Sequence, residues 1–199
     1  KVSIPSVSSN NFDGVGYIKI TTFSNNTYEQ FKTALSSLEK ENIDSLVIDV
    51  RNNGGGFLNA AVDIAELFIE KGKNVYGLET KEKTEYYKDS TKESRKYKVG
   101  ILLNSASASA SEILAAALKE SYGATLLGLT SYGKGTVQET SELETGGMIK
   151  YTTAYWLTPN GNKINNVGLK PDVEITGDYN DDMDYESDTQ LLTAIKNMK

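Results

Sequence analysis

Between residues 14 and 128, short runs of strand character alternate with stretches whose apolar residues recur at helical spacing. A chain patterned in this way folds into βαβ units with largely parallel strands. The strand-like runs are GVGYIKI (14–20), SLVIDV (45–50), KVGILL (98–103) and ATLLG (124–128). Tyr28, Phe31, Leu35 and Leu38 share one helical face, behind a Thr27-to-Gln30 spacing of capping-box form. A second helix is predicted over about 58–71, with Ala61, Ile64, Ala65, Phe68 and Ile69 apolar, and a third over about 110–121. Residues 74–98, rich in Tyr and Lys, lean toward a hairpin, and 135–157 read as two antiparallel strands joined at Glu144-Thr145-Gly146-Gly147. The fold class expected is α/β, a mixed sheet with βαβ units, in one domain over 1–199. An acidic linker is expected over 177–187 and a last helix over 188–199.

The chain contains no His and no Cys. Thiol nucleophiles, disulfides, Cys- or His-based zinc sites and Ser-His-Asp catalysis are thereby excluded. A serine nucleophile here would need Lys, a carboxylate or a terminal amine as its base. A net charge of −6 argues against general nucleic-acid binding, which needs clustered Lys and Arg. No apolar run approaches the roughly 20 residues that span a bilayer. The chain opens on Lys1 with no signal-peptide pattern after it and is read as a processed or excised fragment.

Three segments fall where strands hand over to helices or loops, the position at which open α/β folds collect their sites. They are Arg51 to Gly56, Ser105 to Glu112 and Tyr132 to Gln138. A serine at a helix N-terminus sits beside unpaired N–H groups that can hold an oxyanion. Ser109 with Glu112 three residues on is equally an ordinary capping box. Lys134, between Gly133 and Gly135, is either an exposed turn lysine or a base. The second role needs its amine neutral, which burial in an apolar pocket favours. Gln138, four residues on, cannot titrate but can orient an amine by hydrogen bonding. The glycine run 54–56 is either a flexible turn or the source of an N–H for an oxyanion.

Taken together, these segments resemble the carboxyl-terminal processing, or tail-specific, serine proteases. The resemblance rests on Arg51-Asn52-Asn53-Gly54-Gly55-Gly56, on Ser107-Ala108-Ser109-Ala110-Ser111-Glu112 and on Tyr132-Gly133-Lys134-Gly135-Thr136-Val137-Gln138. Gly16 to Thr21, Leu157 to Gly161 and Gly168 to Val173 extend it over about residues 14–176. It implies a crotonase-like core and a serine endopeptidase that cleaves polypeptides near their C-termini through an acyl-enzyme. Ser109 would be the nucleophile, Lys134, 25 residues downstream, the base, and Gln138 its partner. The N–H groups of Ala110 and of a loop glycine, Gly55, would form the oxyanion hole, with no metal and no cofactor. The resemblance also implies a bacterial, extracytoplasmic setting, a polypeptide as partner and no membrane span in this chain. It further implies a PDZ domain not visible here, of which residues 1–13 would be a linker remnant, and leaves room for a homo-oligomer.

Three rivals are weaker. Gly128 to Lys134 matches a phosphate-binding loop, but Gly135 follows where Ser or Thr should bind magnesium, and a strand-like stretch stands where a helix is required. A non-catalytic or autoinhibited peptide-binding module on the same fold is the second. A calcium loop at Asp178, Asn180 and Asp182 fails because Met183 and Thr189 replace the required Gly and Glu.

Overall fold

The computed structural model describes residues 5–180 and 185–199. A six-stranded sheet is formed by β1 (Val7–Phe12), β2 (Val15–Ile20), β3 (Ser45–Asp49), β6 (Lys98–Leu103), β7 (Thr125–Gly128) and β10 (Val173–Glu174), in the order β1-β2-β3-β6-β7-β10. All pairs are parallel except β1 with β2. A second, antiparallel sheet has the order β5-β4-β9-β8, from β4 (Asn74–Glu79), β5 (Thr84–Lys88), β8 (Thr136–Glu142) and β9 (Met148–Leu157). The mixed α/β architecture expected from the sequence is thus the one observed.

Helix α1 (Thr27–Lys40), α2 (Leu58–Glu66) and α3 (Ala110–Ala117) pack on one face of the large sheet around Phe31, Leu35, Ile48, Ile64, Phe68 and Leu114. Helix α4 (Thr189–Met198) covers the other face, packing Leu191, Ile195 and Met198 onto Tyr17, Val47 and Leu102. Coverage on both faces explains why every residue of β3 is buried and why its sequence shows no alternation. Asp182, in the acidic segment and in the rejected calcium loop, lies outside the described residues.

Residues 7–12 form β1, paired with β2 across the two-residue turn Asp13-Gly14 (φ 51° and 89°). Asp-Gly with both residues left-handed is a hairpin turn, and it sets Phe12 opposite Val15. Thr27 does not open a capping box with Gln30, because Asn26 is the N-cap. The Gln30 side chain instead accepts the N–H groups of Ser6 and Val7 at 2.9 and 3.2 Å, pinning the start of β1 to α1. α2 stops at Glu66, short of the predicted 71, and Leu67 to Ile69 continue in tight turns.

Glu66 and Asp89 are both buried, and Glu66 Oε1 and Asp89 Oδ2 have no hydrogen-bond partner. Burial first, then the charge of Asp89, push the Glu66 carboxyl up from its ordinary value. A carboxyl raised in the folded state contributes stability below its unfolded pKa, near 4.3, and loses that contribution as pH rises through the folded value. Glu66→Gln is therefore expected to melt roughly 2–4 °C above wild type at pH 7, with the difference vanishing near pH 4. Thermal melts at the two pH values check this.

Candidate active site

The three motif segments leave the sheet at one edge. Arg51 to Gly56 follows β3, Asn104 to Glu112 follows β6, and Leu129 to Gly135 follows β7. The register sets Asp49 beside Leu102 and Leu103 beside Gly128, so the three strands end nearly level. Side-chain hydrogen bonds then knit the loops. The Asn52 N–H donates to Asn104 Oδ1 at 3.0 Å, and the Asn104 amide returns a bond to Asn52 Oδ1 at 2.8 Å. The Asn53 carbonyl accepts the Ala108 N–H at 3.0 Å and the Ser111 hydroxyl at 2.9 Å. The Ser107 hydroxyl donates to the Val50 carbonyl at 2.8 Å, and the Ser107 carbonyl takes the Tyr132 N–H at 3.0 Å.

These bonds sort the four serines of 105–111 by chemistry. Ser107 and Ser111 are buried and their hydroxyls are committed to loop carbonyls. Ser105 is exposed. Ser109, the N-cap of α3, is partly buried and faces a cleft of about 250 Å³. Its backbone is left-handed (φ 57°, ψ −117°), a conformation that costs a non-glycine residue of order 1–3 kcal/mol and collects at functional sites. The Glu112 carboxylate accepts the Ser109 N–H at 2.9 Å, while the Glu112 N–H goes to the Ser109 carbonyl at 2.9 Å.

The same cleft is lined by Lys134, Gln138, Ala110 and Gly56. Two backbone donors there are open among the described residues. Ala110 is the first residue of α3, and its N–H makes no hydrogen bond. The Gly55 N–H, expected to be the second donor, is taken by Asn53 Oδ1 at 2.9 Å, an Asx turn that closes the loop on itself. The next N–H, of Gly56, has no acceptor. Phe23 donates to the Gly55 carbonyl and accepts from Phe57, which turns the Gly56 amide away from Phe23. Gly56 must be glycine, since its φ is 136° and a Cβ would lie 2.1 Å from the Phe23 carbonyl oxygen.

Lys134 differs from expectation in one respect. Its N–H is held by Glu112 at 2.9 Å, but its side chain is exposed and makes no hydrogen bond to the Ser109 hydroxyl. The cleft is open, and among the described residues none covers the Lys134 side chain. Gly135 beside it is fixed by close approach, as a Cβ would fall 2.4 Å from the Asn165 N. Gln138 is exposed too. β8 rather than a helix follows Lys134, so the phosphate-loop rival has no support. Leu58, Ile113, Lys150 and Trp156 line the cleft as well. They come from α2, α3 and β9 and carry no local motif, so no reading of adjacent residues could collect them.

The chain belongs to Peptidase family S41, whose profile matches residues 14–175. Over 178 residues it is 42% identical to the "Probable CtpA-like serine protease" of Staphylococcus aureus strain N315, which covers 88% of this chain and 36% of that protein. It is 39% identical to the protein of the same name from Staphylococcus haemolyticus strain JCSC1435, with the same coverage. The photosystem II D1 C-terminal processing protease superposes with a TM-score of 0.80 at 30% identity, over 88% of this chain and 49% of that one. Mature CPAF shares the fold, with a TM-score of 0.62 at 16% identity over 85% of this chain and 49% of that one. The chain thus spans about a third of the length of the curated relatives it matches. No helix among the described residues is long and apolar enough to cross a membrane.

Proposed function

We propose that this core hydrolyses peptide bonds, with Ser109 as nucleophile and Lys134 as its base. The observation that carries the reading is the position of Ser109. Among the serines of its run it lines the cleft, in a left-handed backbone conformation, with Lys134, Gln138 and two open N–H groups around the same space. A polypeptide laid across Gly56, Leu58, Ile113 and Trp156 displaces water from around the Lys134 amine. The neutral amine takes the Ser109 hydroxyl proton as Oγ attacks the carbonyl carbon. The oxyanion rests on the N–H groups of Ala110 and Gly56, the latter in place of Gly55. The Lys134 ammonium then gives its proton to the leaving amine, water hydrolyses the acyl-enzyme, and the Gln138 amide orients Lys134. Cleavage near C-termini belongs to the same reading, supported by the likeness to a C-terminal processing protease, and work outside the cytoplasm belongs to it as what the family resemblance implies.

The solvated amine favours a second reading, in which this core holds peptides without cutting them. An acylating β-lactone probe, whose ring opens as Oγ attacks its carbonyl, separates the two. Covalent labelling of Ser109, located by peptide mass mapping and lost in Ser109→Ala, is the result expected of the protease. An unlabelled wild-type chain that still binds peptides would establish the module.

A further inference from the structure

The proposed chemistry sets a positional problem that the main chain solves only in part. Ser109 and Lys134 stand on different segments, tied main chain to main chain by the Tyr132 N–H on the Ser107 carbonyl at 3.0 Å, two residues from each. Yet a nucleophile and its base must be held within about 0.5 Å of productive geometry. Glu112 is where the segments meet. It is 1% exposed, and its Oε2 accepts both the Ser109 N–H and the Lys134 N–H at 2.9 Å. Its Oε1 accepts the Ser131 hydroxyl at 2.6 Å and the Gly133 N–H at 2.7 Å. Ser131 Oγ in turn accepts the Leu169 N–H at 2.6 Å, and the Gly133 carbonyl takes the Asn166 N–H at 2.8 Å, so the segment behind the lysine loop is tied to the same carboxylate.

A capping box accounts for one of these bonds, the one to Ser109. The other three reach across to the lysine loop. We infer that Glu112 is a positioning residue of the peptidase, a carboxylate that fixes the nucleophile's residue and the base's residue to each other through one oxygen. The inference rests on the Ser109–Lys134 reading and adds to it the part that sets their relative position.

Each carboxylate oxygen faces two donors, so an amide cannot replace it. Whichever way Glu112→Gln turns, its NH₂ confronts an N–H that can only donate. The test is the rate of Ser109 labelling by the β-lactone probe, separated into probe affinity and the first-order acylation rate, with folding followed by near-UV circular dichroism and a thermal melt. In Glu112→Gln the acylation rate is expected to fall about 30-fold or more with probe affinity within about twofold, because misplacement of reacting groups acts on the chemical step. A residue that only caps the helix would lower the melting temperature and leave that rate unchanged, and a folded Glu112→Gln acylated at the wild-type rate overturns the inference. Should Glu112→Gln fail to fold, Ser131→Ala decides. It removes one of the four bonds and should slow acylation at least about threefold, whereas a rate equal to wild type overturns the inference. A wild-type chain that is never labelled, or label that persists in Ser109→Ala, defeats the Ser109 reading itself and is distinguishable from both.

Discussion

Lys134→Ala should slow acylation of Ser109 by about a thousandfold or more while melting within about 2 °C of wild type. The size follows from what general-base removal costs, about 10²–10⁴-fold for a positioned side chain. The unchanged melt follows from the structure. The Lys134 side chain is exposed, and the hydrogen bond that fixes this residue to Glu112 is made by its backbone N–H, which alanine retains. Lys134→Arg discriminates further. Arginine keeps the positive charge but cannot shed a proton near neutrality. If Lys134 acts by charge alone, arginine restores the rate. If it acts as a base, arginine is as slow as alanine, which is the outcome expected. Ser109→Ala should leave no covalent label at any concentration, since no other hydroxyl of the run faces the cleft. A Lys134→Ala chain acylated at the wild-type rate would remove the lysine from the mechanism.

How far the site was legible follows from the range of the interactions involved. Alternation of strand and helix is local, so β2, β3, β6 and β7 and the three helices on one face could be read from residue types. The choice of Ser109 rested on family resemblance, because Ser105, Ser107, Ser109 and Ser111 are equivalent in composition; bonds to Val50 and Asn53, more than 50 residues away, distinguish them. That the Gly55 N–H is occupied was hidden for a related reason. Asn53 closes an Asx turn on the Gly55 N–H, and among consecutive glycines nothing but that turn marks which amide stays open. The same spacing that made Glu112 look like a cap concealed its bonds to Ser131, Gly133 and Lys134. β1 had its signal in Asp13-Gly14, but Val7–Phe12 lacks a clean apolar alternation, being an edge strand of intermediate burial. The solvation of the Lys134 amine depends on what covers the cleft, which no local pattern encodes.

Arg51 opens the glycine loop, and the resemblance marks it as part of a motif without giving it work. The structure gives it a structural task with a large energetic consequence. Arg51 is 1% exposed and is held between two buried aspartates. Its Nε and Nη2 donate to Asp49, Nη1 and Nη2 donate to Asp188, and Nη1 donates also to Gln190 Oε1, while its ring neighbour Tyr179 lies 4.6 Å from the guanidinium. Asp49 further accepts the Tyr17 hydroxyl at 2.9 Å, and Asp188 caps α4 by accepting the Leu191 N–H at 2.8 Å. One planar cation therefore joins β3, the start of the glycine loop and the N-terminus of α4, through a fork of donors that lysine cannot reproduce. Replacing it by methionine keeps most of the volume and leaves two buried carboxylates facing one another. Removing one partner of a buried ion pair costs about 3–5 kcal/mol, which for a chain of this size lowers the melting temperature by roughly 6–20 °C. Arg51→Met is expected to fall in that range, and added salt should restore little, since screening acts weakly on buried charges. The decisive variant is Arg51→Met combined with Asp188→Asn. If uncompensated charge is the cause, neutralising one carboxylate recovers part of the loss despite removing a second native residue. If instead the loss reflects missing packing around the guanidinium, the double variant melts no higher than the single one, and the electrostatic account of how α4 is anchored to the glycine loop fails.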